Sequence, residues 1–391
     1  CFAEHYRWKD AVGPVDERQA YPIVIWDDVD VNSLGTHEYI DLCRRIGAEP
    51  LIVVNLGRHD TAEKREAYIA EAAAWVAYCN DLPTTEWGRK RAANGHPEPF
   101  NVKYWEIGNE TWPMGVQAYI EAVKQFAPAL KKADPDIVLA ACGGAGFDTE
   151  WNRRLIEGAA EHFSYLSVHH YEAPERFAEG PGLYEVSLAK TAQHIRVSAN
   201  PDIKIYVSEW NAQSVDWRTG LYAGGLLNAF ERLGGSLTLG GPALLFRHQS
   251  AQAWNNAFIN FDQRGWFPAP NYVVMKLWRD HYASERIRCT ASDSALNLVA
   301  TRDPACDRLV LKVVNPVDAD KILCVDVQAT IPVQKATWHC IAPGTLQAAN
   351  SMDDPNHIWP KKQELAVSSG GEITVDVPKL SAGVLELQNN R

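Results

Sequence analysis

A chain of 391 residues with 46% hydrophobic content is long enough for one large domain and a smaller one, each with its own core. Its formal net charge of −11 repels phosphate backbones and anionic lipid, and no apolar run approaches the roughly 18 residues of a membrane span. Nucleic acid and membrane are therefore not expected as partners, and a neutral substrate fits better; the 14 Trp and 14 Tyr would suit the apolar faces of sugar rings, although such residues also simply fill cores.

In chain order, the sequence opens at Cys1 on CFAEHYRWKD, without a charged start followed by an apolar stretch, and reads as the middle of a domain. From residue 36 to about 250, amphipathic stretches alternate with short apolar runs, the βαβα pattern of a parallel sheet. Helices are expected over 36–47, 61–80, 115–133, 184–198 and 219–233. In the second, Asp60 would cap the start with Glu63 reaching back to it. In the third, Tyr119, Ile120, Val123, Phe126 and Leu130 recur at helical spacing, with a bend expected at Pro128.

The runs LIVVN (51–55), VKYWEIG (102–108), IVLAAC (137–142), YLSVHHY (165–171), IKIYVSE (203–209) and ALLF (243–246) are expected as buried strands. Long crossover helices between them suit a doubly wound sheet or a closed barrel. Asn55, Glu110, His169, Tyr171 and Glu209 fall at or just past strand C-termini, where barrel enzymes place their chemistry, and GGAG at 143–146 lacks the glycine spacing of a dinucleotide fold. A (β/α)8 barrel over residues 1–283 is the expected catalytic domain. From 284 to 391 short alternating stretches, LNLVAT, RLVLKVVN, ILCVDV, ATWHCIA, EITVDV and GVLELQ, punctuated by Gly, Pro, Asn and Asp, predict an antiparallel β-sandwich, with 349–362 as a long surface loop.

The eight cysteines are dispersed, with no CxxC pair and no Cys/His ligand spacing, so neither a metal nor another cofactor is expected. They read as buried thiols, with Cys289 and Cys306 the pair to check for a disulfide.

Hydrolysis of a glycoside with retention needs two carboxyls about 5–5.5 Å apart, one protonating the leaving oxygen and one attacking the anomeric carbon. Glu110, ending YWEIGNE, and Glu209, in IYVSEWN, meet that need on strands three βα units apart at roughly 30 residues each. Alone, a strand-end Glu is more often a surface carboxylate or a helix cap. Here Asn109 precedes Glu110, and its amide could hold a sugar hydroxyl whose hydrogen bond strengthens in the transition state. Glu106 lies inside its strand and is expected to be a buried structural carboxylate with a basic partner. A metal at His169–His170 is not expected, because adjacent strand residues face opposite sides.

The strand-end Asn-Glu and the later strand-end Glu resemble the glycosidase superfamily with catalytic residues on barrel strands four and seven. More specifically, CFAEHYRWKDAVGPVDER, GTHEYIDLCRRIGAEPLIVVNLG, VKYWEIGNETW, YLSVHHY, YVSEWN and FINFDQRGWFPAPNYVVMKLW, in this order, resemble glycoside hydrolase family 51, the α-L-arabinofuranosidases. LQAANSMDDPNHIWP and LSAGVLEL are similar to the closing segments of that family's sandwich. The resemblance implies Glu110 as acid/base, Glu209 as nucleophile, and Asn109, His169 and Tyr171 beside the arabinose; there Tyr171 could hydrogen-bond the nucleophile and modulate its charge. It places Cys1 beside the sugar ring and implies that two barrel strands lie upstream, so a fragment of a larger protein is expected. It also carries over a homo-oligomer and an intracellular location as expectations. Trp112 and Trp254 could each stack on sugar or aglycone, or merely pack. A β-glycanase or β-xylosidase on the same barrel, and a non-catalytic carbohydrate-binding protein, are the alternatives.

Overall fold

The computed structural model describes residues 6–23, 27–57, 64–251, 255–303, 308–327, 333–368 and 371–389. Two compact units emerge, residues 1–168 with 190–206 and residues 169–189 with 207–391. A hairpin of β1 (Tyr21–Ile23) and β2 (Asp28–Asp30) leads to α1 (Thr36–Arg45). There follow β3 (Leu51–Val54), α2 (Arg65–Asn80), α3 (Glu86–Ala93), β4 (Tyr104–Ile107), α4 (Val116–Ala133), β5 (Val138–Ala145), α5 (Thr149–Ala159), β6 (Tyr165–Glu172), α6 (Gly180–Arg196), β7 (Lys204–Ala212), α7 (Trp217–Arg232) and β8 (Leu237–Gly240). The sheet runs in the order β3-β4-β5-β6-β7-β8, a segment of parallel α/β sheet like part of a barrel.

Helix α4 shows how the pattern builds the sheet's flank. Tyr119, Ile120, Val123, Phe126 and Leu130 are all buried, and the helix continues through Pro128 to Ala133. The Tyr119 hydroxyl donates to the Ile107 carbonyl at 2.6 Å and accepts from the Cys142 amide at 2.6 Å, so one buried side chain ties β4 to β5. Among the helices not expected, α3 (EWGRKRAA) carries no apolar stripe, whereas α5 buries Trp151, Leu155, Ile156 and Ala159 at helical spacing and starts on Asp148, which caps the Trp151 amide at 2.9 Å. The cap expected from Asp60 and Glu63 lies outside the described residues.

The sixth strand is not where the sequence suggests. It is Leu237–Gly240, while ALLF runs outside the sheet, with Leu244 at φ 63° and Phe246 58% exposed. Apolar content favours ALLF, but a left-handed residue breaks an extended run there, and SLTLGG hides a strand behind its glycines.

Beyond β8, β9 (Phe246–His248), β10 (Ile259–Asp262) and β11 (Gly265–Pro268) form a small sheet, and α8 (Pro270–Asp280) packs on α7. The antiparallel domain contains β12 (Glu285–Ile287), β13 (Asn297–Arg302), β14 (Arg308–Asn315), β15 (Lys321–Val325), β16 (Lys335–Ile341), β17 (Lys361–Leu365), β18 (Ile373–Val377) and β19 (Ser381–Gln388). One sheet has the order β12-β13-β14-β19-β16-β17, and β15 pairs with β18. Alternate residues Ile373, Val375 and Val377 of β18 enter one core with Val313, Trp338 and Leu385 of the larger sheet.

The segment 349–362 is a loop pinned by buried Asn350, whose side chain donates to the Pro268 carbonyl at 3.0 Å and accepts from the Ile358 amide at 2.6 Å; its last residues already belong to β17. Of the cysteines, Cys43, Cys79 and Cys142 are buried as expected, whereas Cys289 and Cys324 are exposed and Cys340 is half-buried. Cys306 lies outside the described residues. Burial pushes the Cys142 thiol up to about 12, which removes it as a thiolate nucleophile near neutral pH.

Candidate active site

The end of β4 is shaped by its backbone. After Ile107 the chain turns through Gly108 at φ 75° and Glu110 at φ 45°, both left-handed. Glycine adopts that region freely, but a β-carbon at Gly108 would lie 2.6 Å from Leu56 Cδ1 and 2.8 Å from Thr111 Cγ2. Glu110 has no such freedom, and left-handed non-glycine residues cost roughly 1–2 kcal/mol. The turn thus presents Glu110 half-buried while Asn109 and Thr111 on either side are buried. Glu106 is 2% exposed, the buried carboxylate expected, and accepts a hydrogen bond from the Ser167 hydroxyl. Trp112 starts a single helical turn, and its indole N–H donates to the Gly143 carbonyl at 2.9 Å, which fixes the ring over the end of β5.

The ends of β6 and β7 bring three expected residues together. Tyr171 donates its hydroxyl proton to Glu209 Oε2 at 2.7 Å, and His169 Nδ1 lies 3.7 Å from the same oxygen. The side chain of Glu209 stays 23% exposed while that of His169 is 4% exposed, so the carboxylate is reachable from solvent over a buried imidazole. His169 and Tyr171 sit two apart on one face of β6; His170 turns to the other, where its Nε2 meets Glu172 at 3.0 Å and its ring lies against Tyr184.

Residues that sequence reading did not single out hold these strand ends. Asn211, fully buried two positions after Glu209, uses its whole amide: Oδ1 accepts from Thr219 at 3.2 Å and Asn271 at 3.0 Å, and Nδ2 donates to the Asn256 carbonyl at 2.9 Å. Trp210 between them is buried edge-on against Phe230 and Phe258. The one signal for Asn211 was an amide interrupting an otherwise buried stretch. Asn55 lies just past β3, its Oδ1 accepting from the Gly57 amide at 2.8 Å and its Nδ2 donating to the Tyr6 carbonyl at 3.3 Å, so its amide shapes the turn after that strand. Cys1 and Trp254 lie outside the described residues.

Glu110 lies in the turn that follows β4, and Glu209 lies within β7. Comparisons with known proteins bear on the family. Residues 1–188 match the model of the α-L-arabinofuranosidase 1 domain and residues 193–381 that of the α-L-arabinofuranosidase C-terminal domain. The chain is 40% identical over 151 residues to a probable α-L-arabinofuranosidase C of Aspergillus terreus, covering 37% of this chain and 28% of that protein. It is 29% identical over 230 residues to an intracellular exo-α-(1→5)-L-arabinofuranosidase of Acetivibrio thermocellus, 54% of this chain and 44% of that one. The chain thus spans less than half the length of these curated relatives. Among solved structures, the α-L-arabinofuranosidase of Thermotoga maritima in complex with arabinose superposes with TM-score 0.87 at 24% identity, over 99% of this chain and 86% of that one. The family 51 enzyme of Thermotoga petrophila gives 0.86 at 25% identity, over 99% and 85%. With the two family models covering nearly its whole length and this fold beneath them, the chain belongs to glycoside hydrolase family 51, the α-L-arabinofuranosidases.

Proposed function

We propose that this chain carries the catalytic machinery of an exo-acting α-L-arabinofuranosidase, releasing terminal arabinose from arabinose-containing hemicellulose or its oligosaccharides by double displacement. Glu209 attacks the anomeric carbon while Glu110 protonates the departing oxygen; Glu110, now a carboxylate, then takes a proton from the water that displaces Glu209. Catalysis belongs to residues 1–283 and the antiparallel domain to 284–391. The observation that carries the reading is the 2.7 Å hydrogen bond from Tyr171 to a partly exposed Glu209, a charged nucleophile held in one orientation at a strand end. Asn109 and His169 are the neighbours assigned to the sugar, and Trp112 the wall toward the leaving group.

The roles are separable by product stereochemistry. With Glu110→Ala and an aryl arabinofuranoside whose leaving group needs no proton, azide intercepts the glycosyl-enzyme and gives an arabinosyl azide of the substrate's configuration. With Glu209→Ala, azide displaces the aryl group directly and gives the inverted azide. Obtaining the inverted product from Glu110→Ala, or the retained one from Glu209→Ala, would exchange the roles. A wild-type protein that cleaves aryl β-xylosides or β-glucans but no arabinofuranoside would replace the substrate assignment.

A further inference from the structure

Behind Tyr171, on the opposite face of β6, lies a buried ionisable group that the proposed mechanism does not use. Glu172 is 2% exposed. Its Oε2 faces His170 Nε2 at 3.0 Å, and its Oε1 accepts the Ala173 amide at 3.1 Å and lies 3.5 Å from Arg176 Nε. The carbonyl of Glu172 accepts the Gln213 amide at 2.9 Å, so the same residue ties the end of β6 to the segment leaving β7. Gly180 opens α6 directly against the carboxylate, where a β-carbon would lie 2.5 Å from Oε2. Tyr184 and Tyr222, both fully buried, wall the site.

A buried carboxylate costs several kcal/mol unless its lone pairs are met, and here the donors come from its own strand, the following turn and an arginine one turn further on. Burial lowers the pKa of His170, so its ring is neutral near pH 7 and its single N–H must sit on Nε2 to face the carboxylate. Residues 170 and 172 are thereby clamped to each other across residue 171. Because side chains alternate along a strand, fixing 170 and 172 on one face fixes the direction in which Tyr171 leaves the other.

We propose that Glu172, through His170, is a positioning residue for Tyr171, and that its buried charge sets the hydrogen bond that Tyr171 gives Glu209. This rests on the reading of Glu209 as nucleophile. The pairing arises within the HHYE run of residues 169–172.

A double-mutant cycle tests it, with the full chain and an aryl arabinofuranoside. Glu172→Gln should lower kcat about fivefold and KM with it, leaving kcat/KM nearly unchanged, the effect of weakening one charge-assisted bond at the nucleophile. In a Tyr171→Phe background the same substitution should cost less than about twofold, because the bond it acts through is already gone. Should Glu172→Gln not fold by circular dichroism, His170→Phe, which keeps an aromatic ring against Tyr184 and removes the nitrogen that faces Glu172, carries the same cycle with the same expectation. Losses that multiply in the double variant, or a folded single variant with unchanged kcat, would overturn the proposal while leaving the wild-type activity, and hence the functional reading, intact. A wild type inactive on every arabinofuranoside would instead remove the reading on which the proposal stands.

Discussion

Tyr171→Phe is the substitution whose consequence can be followed step by step. It removes one hydroxyl, and with it the 2.7 Å hydrogen bond to Glu209 Oε2, leaving the ring in place. A hydrogen bond to a charged group is worth about 1.5–3 kcal/mol. With Glu209 as the nucleophile, as proposed, its carboxylate form in the free enzyme has the whole of that stabilisation. In the glycosyl-enzyme it is a neutral ester and has little, and in either transition state its charge is partial. Deleting the bond raises the free enzyme more than the first transition state, which offsets the loss of orientation. The second step gains no such offset, because there the charge is returning to Glu209 and only the transition state had the bond. If half of the bond is present at that point, the cost is roughly 0.7–1.5 kcal/mol, or about threefold to twelvefold in rate. The expected result with a good leaving group is kcat lowered by that factor, KM lowered with it, kcat/KM nearly unchanged, and a pre-steady-state burst of aryl release as the glycosyl-enzyme accumulates. A fall in kcat/KM as large as that in kcat, with no burst, would refute the placement of the bond in the second step.

Two further outcomes are expected away from the reacting carboxylates. Gly108→Ala combines a left-handed backbone with a β-carbon 2.6 Å from Leu56 Cδ1, at a cost of about 2–5 kcal/mol from strain and overpacking, so its urea midpoint should drop well below that of wild type; a change under about 0.5 kcal/mol would refute the close packing of that turn. Burial alone would raise Glu38, but the Arg18 guanidinium at 2.8 Å and the Gly35 amide bring it down to about 2, so its contribution to stability is full above its ordinary value near 4.5 and is lost as pH falls from there toward 2. Melting temperature should therefore fall more steeply across that window in wild type than in Glu38→Gln, and equal slopes would count against the pairing.

Much of the sheet was legible because each strand is an apolar run bounded by helices with one buried stripe, and Glu110, His169, Tyr171 and Glu209 interrupt or end such runs where a polar side chain has no packing purpose. What escaped reading escaped for local reasons. The strand Leu237–Gly240 is short and flanked by glycine, so ALLF, more apolar, took its place in the prediction. Helix α3 and strand β17 (KKQEL) are polar on nearly every position and owe their conformation to neighbours rather than pattern. Asn211 is a buried polar residue whose partners Asn256 and Asn271 come from distant segments, and pairing across such distances leaves no mark in one sequence; Glu172 pairs with its near neighbours His170 and Arg176, but a strand-end carboxylate reads like a solvated one.

The strand ends that carry the two glutamates are built differently, and each suits the work proposed for its residue. Glu110 is placed by its backbone: a left-handed residue two positions after a left-handed glycine, in a turn too tight for a β-carbon at Gly108, leaves the side chain little choice of origin. A group that gives up a proton in one step and takes one in the next must be reached by both the leaving oxygen and the incoming water, and the turn fixes the origin from which it does so. Glu209 is placed through its carboxylate, by the Tyr171 hydroxyl with His169 close by, on a strand whose following residues are locked by Trp210 and Asn211. A nucleophile needs to be ionised at rest and aimed, and a donor on its oxygen supplies both. The same donor stabilises the carboxylate again when it leaves, which is why the support behind Tyr171 should register in turnover more than in substrate binding.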